Sequence, residues 1–159
     1  MHDRNFTTSF TVDSTPEEAF DAINNVRGWW SEDLKGRSEK PGDIFNYRFR
    51  DIHRCVIKIK ASVPGKRIVW HVIDNYFNFT ADKSEWKGTE IVFDISRTGD
   101  QTEVRFTHVG LVPEYECYGA CSAGWTTYVK GSLRSLITTG KGLPNVGEPM
   151  NATERTLAV

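Results

Sequence analysis

The segment from Glu114 to Gly140 constrains this chain most: it reads as one long amphipathic helix, yet Gly119, Gly124 and Gly131 stand in its interior. Each such glycine costs about 1 kcal/mol relative to alanine. Small residues on a long helix offset that cost in one of two ways. They let a sheet approach closely, or they leave volume between helix and sheet for a guest molecule. Tyr118, Cys121, Trp125, Val129, Leu133, Leu136 and Gly140 recur at intervals of three and four, which gives the helix one apolar face to bury. Its start is open between Pro113 in a first turn and a later cap at Ser122.

A sheet is the natural partner for that face. A Thr-rich segment with Phe6 and Phe10, running to Val12, reads as an edge or near-edge strand. Ser14-Thr15-Pro16-Glu17-Glu18 then opens a helix, with a capping hydroxyl, a first-turn proline and two glutamates at the positive helix end. Ala19, Phe20 and Ile23, with Val26 beyond, form its buried stripe. Trp29-Trp30 follow, and the stretch to Gly42 reads as a loop. Four or five strands come next, separated by turns at Pro64-Gly65, Lys87-Gly88 and Thr98-Gly99-Asp100.

Alternation assigns most faces. Phe45, Tyr47 and Phe49 share one side, as do Cys55, Ile57 and Ile59, then Ile91, Phe93 and Ile95, then Val104, Phe106 and His108. Lys58, Lys60, Glu90, Asp94, Glu103 and Arg105 fall on the other side. Arg67 to Ile73 is apolar on both faces and has no assigned register. The expected class is α+β: an antiparallel sheet wrapped around a C-terminal helix, with short helices near the N-terminus. Residues 5–140 form the domain, and 141–159, having lost periodicity, form an extended or disordered tail.

At 159 residues the chain is one domain with a single core. Twenty basic against 21 acidic residues, without a basic stripe, argue against nucleic acid. No apolar run reaches membrane-spanning length, and Met1-His2-Asp3-Arg4-Asn5 lacks the apolar core of a signal peptide, so a soluble cytoplasmic protein is expected. Three cysteines fit a reducing compartment. Neither a phosphate loop, a GxSxG elbow nor an HExxH helix is present, and no cofactor is expected.

The order of these elements resembles the helix-grip fold of the START-like, or SRPBCC, superfamily. The likeness is strongest to bacterial proteins grouped with the C-terminal domain of the heat shock protein 90 ATPase activator. It rests on Ser14 to Phe20 opening the first helix, Trp29-Trp30, Phe106-Thr107-His108-Val109-Gly110-Leu111 ending the last strand, and Trp125, Leu133 and Leu136 on the final helix. The resemblance implies an apolar cavity between sheet and helix, in which related domains bind lipids, sterols, polyketides, hormones or other hydrophobic molecules. It transfers no reaction, because carriers, receptors, cyclases and chaperone regulators share the scaffold. The eukaryotic activator also uses a separate N-terminal domain for its chaperone contact, for which 159 residues leave no room.

The expected function is therefore binding of a hydrophobic or aromatic small molecule or lipid. Trp29, Trp30, Tyr47, Trp70, Phe106, His108, Trp125 and Tyr128 are its expected contacts, with Phe77, Phe79 and Phe93 as further aromatic candidates. Each competes with a plain core role. An enzyme of the polyketide-cyclase or dehydratase type would use His108 and Tyr47 as acid and base. A chaperone-associated interaction module would instead show an exposed apolar patch. His53 at a strand entrance reads as exposed, and His71 fits either face. Cys117 and Cys121 share a helix face but lack a fourth metal ligand and zinc-knuckle spacing, so no metal site is assigned. The hydroxyls of Ser122, Thr126, Thr127, Tyr128 and Ser132 either orient a bound group or solvate the helix. Oligomeric state is left open, with sheet edges and tail as places for pairing.

Overall fold

Alternation of apolar and polar residues builds one antiparallel sheet of seven strands. In the computed structural model, which describes residues 4–158, these are β1 (Phe6–Val12), β2 (Leu34–Gly36), β3 (Ile44–Phe49), β4 (His53–Val63), β5 (Arg67–Phe77), β6 (Glu90–Thr98) and β7 (Gln101–Val109). Their spatial order is β1-β7-β6-β5-β4-β3-β2, a helix-grip sheet in which β1 crosses over to pair with the last strand. Met1, His2 and Asp3, which entered the reading of the N-terminus, and Val159 of the tail lie outside the described residues. Every assigned strand face has the expected sense: Phe45, Ile57, Ile91, Phe93, Val104, Phe106 and His108 are fully buried. In β5 the inward set is Ile68, Trp70 and Val72, which settles the ambiguous strand. Leu34–Gly36, expected as loop, instead pairs with Phe45–Tyr47 as a short edge strand.

Helix α1 (Pro16–Asn24) starts as its sequence dictates. The Thr15 hydroxyl accepts from Glu18 N at 3.1 Å and the Glu18 carboxylate accepts from Thr15 N at 2.8 Å, a reciprocal cap. A 3-10 turn, Val26–Gly28, then delivers Trp29 and Trp30 into the core rather than into a solvent loop.

The long helix differs from expectation in three respects. It begins at Tyr118, the first residue of α2 (Tyr118–Thr126), rather than at Pro113 or Ser122. Its end is capped from a distance: the Glu85 carboxylate accepts from the backbone N–H of Glu116 (2.9 Å) and Cys117 (3.0 Å). Second, a π-helical turn, Thr127–Leu133, separates α2 from α3 (Arg134–Thr139). One wider turn buries the adjacent pairs Tyr128-Val129 and Ser132-Leu133, which a regular period would split between faces. Third, the interior glycines admit no close approach, since a methyl at Gly119, Gly124 or Gly131 would meet no heavy atom within 4 Å.

Beyond residue 140, where an extended or disordered tail is expected, the chain carries structure of its own. Gly140 ends α3 in the left-handed conformation (φ 81°). Gly142 then passes so near the Gly28 carbonyl that a Cβ there would lie 2.1 Å from its oxygen. Ser132 fastens this crossing, its hydroxyl donating to Trp29 O and accepting from Leu143 N, both at 2.7 Å. Asn145 bridges to Ser31, and residues Ala152–Leu157 form a further helix, α4. The sequence around α4 shows no apolar period because it is anchored by one buried carboxylate, Glu154, with Leu157 and Ala158 packed part-buried on the core at its end.

Candidate functional site

Between the β3–β5 end of the sheet, the long helix and α4 lies a cavity of about 70 Å³. That is several times the space one water needs. Trp30, Tyr47, Phe49, His53 and Phe77 form its sheet side, with Phe79 and Trp86 from the β5–β6 connection. Ala120, Cys121, Gly124, Trp125 and Tyr128 form the helix side, and Thr153, Glu154 and Leu157 of α4 close the third. Gly124 keeps one helix position free of side chain at this wall, so the guest-volume alternative describes it, whereas Gly119 and Gly131 simply face solvent.

All five tryptophans of the chain belong to one row of rings. Trp70 stacks with Trp29 (centroids 6.3 Å apart), Trp29 with Trp30 (6.3 Å), Trp30 meets Trp125 at 4.9 Å, and Trp125 stacks with Trp86 at 5.5 Å. Tyr47 lies flat on Trp30 at 4.1 Å. The row passes from the packed core, where Trp29 donates its indole N–H to Ile23 O (3.0 Å), to the cavity wall.

Polar groups around the cavity fall into two kinds. On the α4 side Glu154 is buried and fully used: it accepts from the Tyr128 hydroxyl, from Asn145 Nδ2 (3.1 Å) and from Met150 N (2.8 Å). Burial and the neighbouring Glu154 raise the Tyr128 phenol, and burial raises Tyr47 and the Cys121 thiol, so all three stay neutral. On the sheet side His53 Nε2 is sealed from solvent without a partner, although some of the residue's surface is exposed. The side-chain polar atoms of buried Asn75, outside the cavity lining, make no hydrogen bond of ordinary geometry, and the indole N–H of Trp86 has only the weakly accepting Cys121 sulfur beside it. Burial lowers the His53 imidazole to about 3, an effect that Asn75 beside it only partly offsets.

His108 has the inward direction its register predicts, but it does not line the cavity. Trp125 Nε1 donates to its Nδ1 (3.1 Å), which leaves the proton on Nε2 to be donated to Thr89 Oγ1 (2.8 Å). The Thr89 hydroxyl passes on to Trp86 O at 2.6 Å. Burial, aided by His53, holds this imidazole at about 3 too.

Of the expected contacts, the cavity therefore brings together Trp30, Tyr47, Trp125 and Tyr128, with Phe77 and Phe79. Trp29, Trp70, Phe93 and Phe106 are buried in the adjoining core. His53, read as exposed, is a wall residue because Ile52 and Asn78, joined by a backbone hydrogen bond, fold the β3–β4 turn back under the β5–β6 connection. Trp86 was not a candidate: it stands in a turn-rich segment where no period marks burial. Of the helix hydroxyls, Tyr128 reaches the cavity wall, while Thr126 and Thr127 lie on the exposed face. Ser122, Thr126 and Thr127 donate to carbonyls one turn back, on Tyr118, Ser122 and Ala123. Cys55, Cys117 and Cys121 are buried free thiols.

This arrangement of sheet, long helix and internal space has relatives. The model of the family described as Activator of Hsp90 ATPase homolog 1-like protein matches residues 13–138, most of the chain. The chain belongs to that family. Among solved structures, the Activator of Hsp90 ATPase homolog 1-like domain is similar to the Aha1 dimer from Colwellia psychrerythraea, with 26% identity, a TM-score of 0.70 and coverage of 87% of this chain and 98% of that one. CalU16 from Micromonospora echinospora shares the fold at 15% identity, TM-score 0.64, covering 97% and 81% of the two chains. DynU16, from the dynemicin biosynthetic locus, does so at 16% identity and TM-score 0.65, with 88% of this chain spanning 49% of that one. No match to a curated protein was found. Among the described residues no helix of this family member is long and apolar enough to cross a membrane, and no group of three or more His, Cys, Asp or Glu is placed to hold a metal ion.

Proposed function

We propose that this chain binds a small, largely apolar molecule in the cavity bounded by β3–β5, the long helix and α4. The observation that carries this reading is an unfilled, aromatic-walled space in a core that is otherwise closed. The family and its fold are compatible with carriers of this kind. The acid–base reading with His108 and Tyr47 draws no support from the geometry: both imidazole nitrogens are committed to hydrogen bonds, and the Tyr47 phenol is raised away from neutral pH. A chaperone-type contact draws little from the surface. Ile44, Val63, Ile73 and Val109 are exposed on four separate strands, and Leu143, Val146 and Met150 on the tail.

Native mass spectrometry of gently purified protein, compared with its denatured mass, tests the binding reading. A reproducible excess mass that is released into organic solvent supports it. A bare polypeptide that also fails to change its tryptophan emission with any small apolar ligand removes it, since Trp30, Trp86 and Trp125 all border the space. The dimer is a property of the Colwellia protein, and light scattering on this chain is the companion measurement.

A further inference from the structure

We infer that β1 is an open sheet edge on which a second copy of this chain pairs, antiparallel and about a two-fold axis through Ser9. The two edges of the sheet are built differently. At β2 the edge is three residues long, and Gly36 bends it in a left-handed conformation (φ 105°). The Arg27 guanidinium caps the carbonyls there, donating to Leu34 O (3.1 and 2.6 Å) and Gly36 O (3.0 Å). The segment before it is covered too, since Asn145 of the tail bridges to Ser31 and its carbonyl accepts from Glu32 N at 2.9 Å. Native sheets blunt their edges with such devices, because a bare row of amides and carbonyls is a template for another strand.

β1 has none of them. Its seven residues include no charge and no proline, and its pairing with β7 runs from Phe6 to Val12 without a bulge. Two hydrogen bonds fix which way its backbone faces. Phe6 N donates to Leu111 O (2.8 Å) beyond the end of β7, and the Thr7 hydroxyl donates to Phe106 O (3.0 Å), so that carbonyl points at β1. Facing alternates residue by residue in an antiparallel ladder. Phe6, Thr8, Phe10 and Val12 therefore turn their backbone groups to β7, while Thr7, Ser9 and Thr11 turn theirs away from it. The N–H and C=O of each of these last three have no partner in this chain.

Self-complementarity selects the occupant. Thr7 and Thr11 stand evenly on either side of Ser9, so a two-fold axis there sets Ser9 against the partner's Ser9 and Thr7 against the partner's Thr11, and every outward donor meets an outward acceptor. The same axis lays half-buried Phe6 and Thr8 of the inner face against the partner's Val12 and the partner's Phe10. No like charges oppose each other along the strand. Just beyond its ends the charges are complementary: Arg4, which pairs with Glu114 in its own chain, comes to the end where the partner's Asp13 stands. A strand pair of this length covers less than the roughly 800 Å² per partner of a standard interface, so the dimer is weak and dissociates on dilution.

Sedimentation equilibrium of the full chain from about 1 µM to about 1 mM, with hydrogen exchange at both limits, tests the assignment. The expected mass rises from one chain to two, and the amides of Thr7, Ser9 and Thr11 become protected only at the upper limit. Ser9→Pro removes an outward N–H without touching the β7 ladder, and weakens association at least about tenfold. Ser9→Lys and Ser9→Glu each set like charges face to face on the axis and stay monomeric, whereas an equimolar mixture of the two dimerises. Should the proline variant fail to fold, the charge pair carries the comparison, since Ser9 sits on the solvent face opposite exposed Arg105. A single-chain mass at every concentration overturns the inference. A dimer that survives all three substitutions overturns β1 as its interface. Failure of the mixture to dimerise overturns the register about Ser9, and growth beyond two chains overturns the closed two-fold pairing.

Discussion

His108 and His53 approach the same indole from two sides, their ring centres 4.8 and 4.6 Å from that of Trp86, and burial holds both neutral with values near 3. They differ in what their nitrogens meet. His108 is the middle of a closed chain, Trp125 to His108 to Thr89 to the Trp86 carbonyl, with no bonding capacity left over. His53 keeps Nε2 without a partner at a cavity wall. Burial and a shifted pKa thus fail to tell the two histidines apart; the unspent hydrogen bond does.

The largest effect that sharpens this comparison is acid lability. An unfolded chain takes up protons on both histidines as pH falls below about 6.5, while the folded chain resists until about 3, so stability is complete above the former and lost toward the latter. Between pH 7 and 5 each histidine contributes a loss of about 2 kcal/mol, about 4 for the pair. Urea unfolding across that range checks it, and His53→Phe halves the slope. A flat profile breaks the claim that both are held neutral.

Next comes the substitution contrast at fixed pH. His108→Phe strands the Trp125 N–H in the core and costs about 3 kcal/mol in urea unfolding, whereas His53→Phe removes a group that had no partner and costs less than about 1. Equal costs would dissolve the distinction. Glu154 is a third buried polar group and behaves like His108. Glu154→Ala removes the acceptor of three hydrogen bonds, costs about 2 kcal/mol, and exposes the amides of residues 145–157 to hydrogen exchange while the sheet stays protected. The smallest effect is a control remote from both rings: Gly131→Ala on the exposed face raises stability by up to about 1 kcal/mol. Gly124→Ala places its methyl at the cavity wall and weakens binding of a small apolar ligand there.

The strand faces, the α1 cap and the inward turn of His108 were legible because each is encoded within a few residues. Phe45, Tyr47 and Phe49 alternate with Asn46 and Arg48, and Thr15 meets Glu18 three positions on. What was not legible depends on partners far along the chain. The start of the long helix is set by Glu85, some thirty residues earlier, and α4 is set by Tyr128, 26 residues before the carboxylate it binds. Trp86 sits among turn residues, and His53 at the mouth of a strand, where period-two reasoning has no purchase. The site is assembled largely from such positions, so half of its expected contacts were core side chains from well-patterned strands and from the Trp29 turn.

The π turn at Thr127–Leu133 makes the long helix a shaft with two indexed faces. Upstream, Cys121, Gly124 and Trp125 face the cavity; downstream, Ser132 and Leu133 grip Trp29 and the returning chain. Deleting one residue from that turn would close it to regular winding and leave the downstream half facing nearly as before. The same deletion within α2 would rotate everything after it by about 100°. Leu133 and Ser132 would then swing off the sheet, the crossing at Gly142 would lose its fastening, and α4 would leave the cavity open on one side. The wider turn is a stretch of the shaft that can lose a residue locally.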